Sequence, residues 1–514
     1  MFQPLSASNF MEIKVMVNVY KLNEPQITLK SSLAGEFVTY IYLSSDKKLL
    51  YYSNYITDLL GFKEVVKPLS ISSEGISFLL QSGVVPPPLT AYQNIFIVGI
   101  GDTAIINTSN NEITIDFSHE FPFTAEKREK LEDYDEPQYD DILQLLADET
   151  VKKLDLTKKT YLFHSAGKDS NSIALALAEA GLQDKITLVT HRSKGNLDES
   201  IISENIAKKL GFSHRTLHEV DTLTEDDLKY INDYFKKAPF PCVDNLCLAY
   251  PLYAKQIPEL FDSNIIFGDG NDSYMISPPS TKDPLYTKIS EYTSHFSFLR
   301  NYVNSENLLG PFLRTPSEWF GTSGFTLKDS AKIFPKSASV YSYWKKESKL
   351  RKDLDLFYFK SDIYSTRVIT EKMIRKLFNF SDYLGSNIVL PFATQKVAEY
   401  FATYPEEYLF DRSKYKNKII LRSLLKEKLS LDSDEIGKMG WSYDTRTLIL
   451  NNWELLLNEI SVCSLWNWKE TEQVIYRLRK SIIAKGKYSE FSCRLVYRLF
   501  LLSMWKNKSK YLND

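Results

Sequence analysis

Two short apolar runs in this chain each end on a glycine-containing acidic turn, and that pairing limits the fold more than any other feature. The first, Tyr161-Leu162-Phe163-His164, runs straight into Ser165-Ala166-Gly167-Lys168-Asp169-Ser170 and then a helical stretch over residues 171–180. The second, over residues 264–267, ends on Gly268-Asp269-Gly270-Asn271-Asp272. Between them lies Ile186-Thr187-Leu188-Val189-Thr190, followed by a helical pattern over residues 200–210. Strands that alternate with helices of about ten residues build a parallel sheet of the doubly wound α/β kind.

In such a sheet a ligand sits beyond the carboxyl ends of the strands, where both turns fall. Ala166 and Gly167 let the backbone come close to a phosphate, and the helix that follows offers free amide hydrogens and the positive end of its dipole. Ser165 and Ser170 add hydroxyl donors. An acidic residue inside a phosphate cradle makes sense only with a divalent cation between carboxylate and phosphate, so Asp169 is expected to hold Mg²⁺. A Walker loop is excluded twice, because Leu162 stands where it needs Gly and Asp169 where it needs Ser or Thr.

Residues 11–117 read mostly as strand, in runs such as FVTYIYL, LLYYS, IFIVG and ITIDF, with one helical piece over residues 74–81. The stretch from Thr124 to Asp141 is charged and almost free of aliphatic residues, so a domain boundary is placed there. The expected division is a β-rich α+β domain over 1–125, a linker over 126–145 and the parallel-sheet domain over 146–514. Past Lys282 the pattern is helical and is expected to complete the sheet domain and roof its site. Residues 495–505 read as a packed amphipathic helix.

Composition narrows the partners. Lys plus Arg number 63 and Asp plus Glu 65, which disfavours nucleic acid. Four cysteines do not form the disulfide framework of a secreted protein, so a reducing cytoplasm is expected. No run nears the ~18 apolar residues of a membrane span, and the amino terminus has no basic-then-apolar leader.

These motifs, taken in order, resemble the asparagine synthetase superfamily, whose synthetase domains carry a pyrophosphate loop like SAGKDS followed by a GDGxD turn. The order continues with Asp198-Glu199 ahead of the helix ending KKLGF, Leu390-Pro391-Phe392, Lys418 and Arg422 in KNKIILRSLL, and Lys438 in KMGW. The resemblance spans residues 73–444. It implies an ATP site in which Ser165, Gly167, Asp169 and Ser170 bind the β- and γ-phosphates, with Ala166, Gly268 and Gly270 in the two backbone turns. Asp169 and Asp272 would hold Mg²⁺, and Lys438 would lie near the α-phosphate. Lys168 either strengthens phosphate binding or faces solvent. Thr190 is placed where this fold contacts adenine and ribose, and neighbouring His191 reads as structural. Asp198 and Glu199 read as a helix start favoured by the dipole, and Cys242 and Cys247 as core residues.

The amino-terminal region resembles the later half of a class II, Ntn-type glutaminase domain. No cysteine precedes Cys242, so the nucleophile of such a domain is missing and glutamine hydrolysis is not expected. The amine would then belong to a substrate, as in β-lactam synthetases, carbapenam synthetases and lasso-peptide cyclases. In lactam synthetases a Tyr takes the place of Asp269, and a Glu takes that of Asn387. Asp269 is thus a candidate base, equally a second metal ligand or loop brace, and Asn387 a candidate for orienting substrate. The expectation is an adenylate-forming amide synthetase, of macrolactam or lasso-cyclase type, acting on a peptide or small carboxylate and amine beside a precursor-processing protease. The alternatives are an asparagine-synthetase-like enzyme using ammonia, and a catalytically inactive binding or scaffold homologue.

Overall fold

In the computed structural model of the protein, residues 17–66, 69–194, 198–307, 310–437, 441 and 443–512 are described. All five strands of the central sheet run parallel: β8 (Thr160–Phe163), β9 (Ile186–Arg192), β10 (Ser213–His218), β11 (Asn264–Ile266) and β12 (Asn387–Val389). Their spatial order is β10-β9-β8-β11-β12, so the winding reverses between β8 and β11. Side chains alternate across this sheet. Tyr161, Phe163, Val189 and Ile265 enter one core, and Leu162, Leu188, Ile266 and Val389 enter another on the opposite face. The expected strands were three; β10 and β12 are additions.

Ahead of this sheet lie two antiparallel sheets. One joins β1 (Asn18–Lys21), β4 (Leu49–Ser53), β3 (Thr39–Leu43) and β5 (Ile95–Val98), and the other joins β2 (Ile27–Lys30), β6 (Asp102–Ser109) and β7 (Glu112–His119). Ile41 and Leu50 of the first pack on Ala104, Ile106 and Ile113 of the second. The opposite face, with Tyr40, Tyr42 and Tyr51, joins the core that also holds Tyr253, Leu499 and Trp505. One hydrophobic core therefore runs through both halves of the chain.

The segment between them differs from a plain linker. It holds short 3₁₀ turns at Ala125–Lys127 and Leu131–Asp133, and a helix begins at Tyr139, inside the 126–145 span. Ile142, Leu143 and Leu146 fall on one face of that helix and are fully buried, which sequesters the end of the stretch read as solvated.

A closed ring of charge also ties the halves together. Arg367 donates to Asp102 of β6 and to Glu347, and Arg351 donates to Glu347 and to Asp362. His119 of β7 closes the ring, its Nδ1 2.8 Å from Asp102 and its Nε2 2.9 Å from Asp362. No side chain in it is more than 8% exposed. Burial alone would raise these three carboxyls, but the neighbouring guanidinium groups hold Asp102, Glu347 and Asp362 below the usual carboxylate range.

The carboxy-terminal region is helical as expected, ending in the Ser489–Lys508 helix. That helix is not amphipathic. Arg494 is exposed, but Arg498 is buried and donates to the Leu80 carbonyl at 2.9 Å, because β-layer and helices enclose this helix on most sides. Among the described residues, no helix is long and apolar enough to cross a membrane.

Candidate active site

The two acidic turns follow β8 and β11, the neighbouring strands between which the sheet reverses its winding. Such a switch point opens a crevice above the strand ends. The turns touch. A Cβ on Gly268 would stand 3.1 Å from the Asp169 Cβ and from the Ser170 amide nitrogen. Gly270 has φ +122°, and a Cβ there would lie 2.6 Å from the Ala393 nitrogen, on the loop that follows β12. Glycine is needed at 270 for both reasons, conformation and space.

The first turn is braced from within. Gly167 caps the Lys168–Glu179 helix. Its amide donates to Ser165 Oγ at 3.0 Å, and the Ser165 amide donates to Ser170 Oγ at 3.2 Å. Asn171 donates to the Gly167 carbonyl at 2.8 Å and is itself met by His164 Nε2 at 2.8 Å. Burial pushes the His164 imidazole down to about 3, so it is neutral and serves as a fixed brace. Ala166 is buried at the base of the turn.

Charge then converges from three places in the sequence. Asn271 Nδ2 donates to Asp169 Oδ1 at 2.6 Å, and Lys418 Nζ donates to Asp169 Oδ2 at 2.7 Å. The same ammonium stands 3.4 Å from Asp272 Oδ1. Lys418 caps the Ile419–Leu429 helix with φ +58°, a conformation rare for a side chain with a Cβ, and that geometry turns it toward the turns. Burial works against both charged groups. The lysine nonetheless holds the Asp169 carboxyl below its usual range, helped by Asn271 and Lys168, while Asp169 and Asp272 raise the Lys418 ammonium above its own.

Asp269 behaves oppositely. Burial pushes its carboxyl up to about 6, with Lys376 opposing and Asp272 and Asp169 adding to the rise. Lys376, almost fully buried, is held by Asp244 at 2.8 Å. The site thus sets the carboxyls of Asp169 and Asp272 on one ammonium, beside a third carboxyl, Asp269, that titrates near neutrality.

The donor chemistry suits Mg²⁺ beside a polyphosphate, since that ion is commonly held by one or two carboxylates plus phosphate oxygens. Among the described residues, no cluster of three or more His, Cys, Asp or Glu is set as a metal site by itself. Asp169 and Asp272 form a pair.

Two expected positions fall elsewhere. Asn387 pairs in register with Asn264 at the amino-terminal edge of the sheet, and its Nδ2 donates to the Lys153 carbonyl at 2.6 Å. It stands at the opposite end of the strand from the turns and braces the sheet. Thr190 is fully buried, and its hydroxyl donates to the His164 carbonyl at 2.9 Å, so its side chain supports the loop from beneath and does not face a ligand. Lys438 lies outside the described residues. Asp198 caps the Glu199–Leu210 helix by accepting from the Ser200 amide at 3.0 Å, the structural role anticipated for it. Cys242 and Cys247 place their sulfurs 2.9 Å apart. The roles of Lys418 and Asn271 went unassigned from sequence; the signal for Asn271 was its place inside the GDGND turn.

No protein-family model matches the chain, and a search of curated proteins finds none that matches it.

Proposed function

We propose that the protein is an ATP-dependent amide synthetase that activates a carboxylate as an acyl-adenylate and joins it to a substrate amine. The observation that carries this reading is the meeting of Asp169 and Asp272 on Lys418, above the switch point of a parallel sheet, beside a helix start flanked by the Ser165 and Ser170 hydroxyls. In the first step the substrate carboxylate attacks the α-phosphorus of ATP and pyrophosphate leaves. Ser165, Gly167 and Ser170 bind the departing phosphates, and the Lys418 ammonium stabilises negative charge nearby. Mg²⁺, for which Asp169 and Asp272 are the donor pair, supplies charge neutralisation at the polyphosphate when bound. In the second step the amine attacks the acyl carbon, AMP leaves, and Asp269, poised near neutrality, takes the amine proton. A peptide that closes on itself, as in macrolactam and lasso cyclisation, is the acceptor type this reading favours.

A second reading keeps the adenylation and uses ammonia as acceptor. It is favoured by one observation: Asn387, whose difference from Glu pointed to a substrate amine, stands away from the site.

Exchange of labelled pyrophosphate into ATP, screened with amino acids and short peptides, tests the first step. Exchange with a cognate carboxylate, lost in Asp169→Asn, is expected. Absence of any Mg-ATP binding by calorimetry would overturn both readings and leave a binding or scaffold role. Amide formation with ammonium alone would decide for the second.

A further inference from the structure

The segment that leads into the Ala249–Gln256 helix folds back on itself and brings two of the four cysteines together. The Cys247 amide donates to the Asp244 carbonyl at 3.2 Å, and the Leu246 amide donates to Asp244 Oδ1 at 3.1 Å. Cys247 Sγ donates to Cys242 Sγ at 2.9 Å, and both thiols are free. A disulfide is ~2.05 Å long, so a closing movement of about 1 Å would join the two sulfurs.

The two thiols have different surroundings. Cys247 is fully buried, and burial, with the Cys242 contact adding, pushes its thiol well above the ordinary range. Cys242 is only half-buried and lines a cavity of about 50 Å³. That space holds a molecule little larger than water and shuts out organic reagents. Lys372 and Lys376, one turn apart on the Thr370–Leu384 helix, bring two ammonium groups within electrostatic reach of Cys242. Burial and Arg498 push the Lys372 ammonium down to about 8, while Asp244 and Cys242 pull against that shift. An electropositive, partly open setting is that of a reactive thiol, whereas an enclosed thiol is inert toward outside reagents.

We infer that Cys242 and Cys247 form a modification site for peroxide, in which hydrogen peroxide oxidises Cys242 and Cys247 resolves the product as an intramolecular disulfide. The Cys242 sulfur attacks one peroxide oxygen, the O–O bond breaks, and the departing hydroxide takes the thiol proton as water, leaving a sulfenic acid. Cys247 Sγ then attacks Cys242 Sγ. The S–S bond forms, the S–O bond breaks, and the hydroxyl leaves as a second water with the Cys247 proton. Two thiols are oxidised, one peroxide is reduced to two waters, and a reducing thiol reverses the bond. The loop so closed contains Asp244, whose carboxylate lies 2.8 Å from Lys376 Nζ, and Lys376 is the cation that opposes the rise of the Asp269 carboxyl. One ion pair thus lies between the cysteine pair and the acidic turns. The oxidation itself does not depend on the ligase reading.

Peptide mass spectrometry tests it on the reduced full chain, treated with hydrogen peroxide, quenched with iodoacetamide in denaturant and digested with trypsin. Both cysteines fall in one tryptic peptide, residues 238–255. That peptide is expected to lose two hydrogens and to refuse alkylation until dithiothreitol is added, while Cys463 and Cys493 stay alkylatable. Cys247→Ser should leave a Cys242 sulfenic acid that dimedone traps, and Cys242→Ser should leave Cys247 unoxidised at the same dose. Lys372→Met should slow the reaction about threefold or more, with all four cysteines in place. Asp169→Asn should oxidise like the wild type, which separates this result from the fate of the ligase reading. Oxidation of Cys463 or Cys493 as fast as Cys242, a disulfide between chains, or a 238–255 peptide that remains fully alkylatable would overturn the inference.

Discussion

Lys418 Nζ lies 2.7 Å from Asp169 Oδ2, a contact between residues 249 positions apart. It closes the β8 turn against the start of the Ile419–Leu429 helix and gives two carboxylates a shared counter-charge. Lys418→Met leaves Asp169 and Asp272 facing each other with no cation between them. The variant should lose about 1–3 kcal/mol of stability at neutral pH in chelator. Added Mg²⁺ should restore more stability to it than to the wild type, as read by urea unfolding. A variant as stable as the wild type and indifferent to Mg²⁺ would show that the two carboxylates do not act as a pair.

Asp269 makes a pH signature. Its carboxyl sits near 6 in the folded chain against roughly 4 when unfolded, so the folded state holds the proton more tightly. Its contribution is favourable below the unfolded value, falls as pH rises through the window between the two, and is a constant cost above about 6. Asp269→Asn should therefore be more stable than the wild type at pH ~7 by up to about 2 kcal/mol, with the gap closing toward pH ~4. Denaturant midpoints across that range, measured in chelator, provide the check. If Asp269 is also the base, the same variant should retain pyrophosphate exchange and lose amide formation.

The two glycines of the second turn should differ in their tolerance. Gly270→Ala meets the Ala393 backbone at 2.6 Å with φ +122°, whereas Gly268→Ala meets the Asp169 Cβ and the Ser170 nitrogen at 3.1 Å with an ordinary φ. The first should cost roughly 2–4 kcal/mol, combining backbone strain and overpacking, and the second about 1 kcal/mol. Unfolding midpoints that rank them the other way would mean that the β11 and β12 loops are not in this contact.

Asn387 offers a separation of stability from chemistry. Asn387→Ala removes hydrogen bonds to the Lys153 carbonyl and Asn264, so a loss of about 1–2 kcal/mol is expected. Pyrophosphate exchange should be unchanged. A fall in exchange at full occupancy of the folded state would return this residue to the site.

What could be seen in advance followed from periodicity. TYLF and ITLVT are buried on both faces, so their continuous apolar runs marked them as inner strands, and the loop after β8 was found with them. SHRTLH of β10 escaped because it is an edge strand whose residues alternate between exposed and half-covered, and Asn387–Val389 because three residues carry no period. Asn387 was assigned by its spacing from Pro391, but a three-residue strand is long enough to carry it to the other end of the sheet. Lys418 stood among the ordered motifs, yet its pairing depends on a left-handed backbone step that no local pattern announces. The 139–145 stretch was masked by the charged residues before it, although its buried leucine and isoleucine spacing was already helical.

The ring through Asp102, His119, Asp362, Arg351, Glu347 and Arg367 carries a consequence for how this chain can be taken apart. Cutting it near Thr124 would strip two carboxyl- or imidazole-bearing strands from one piece and strand Arg367 and Arg351 with too few counter-ions in the other, while opening a shared apolar face on both. Neither fragment would be an autonomous folding unit. The amino-terminal strands work as a permanently attached folding partner for the rest of the chain, and truncation scanning should find soluble material only when both pieces are produced together.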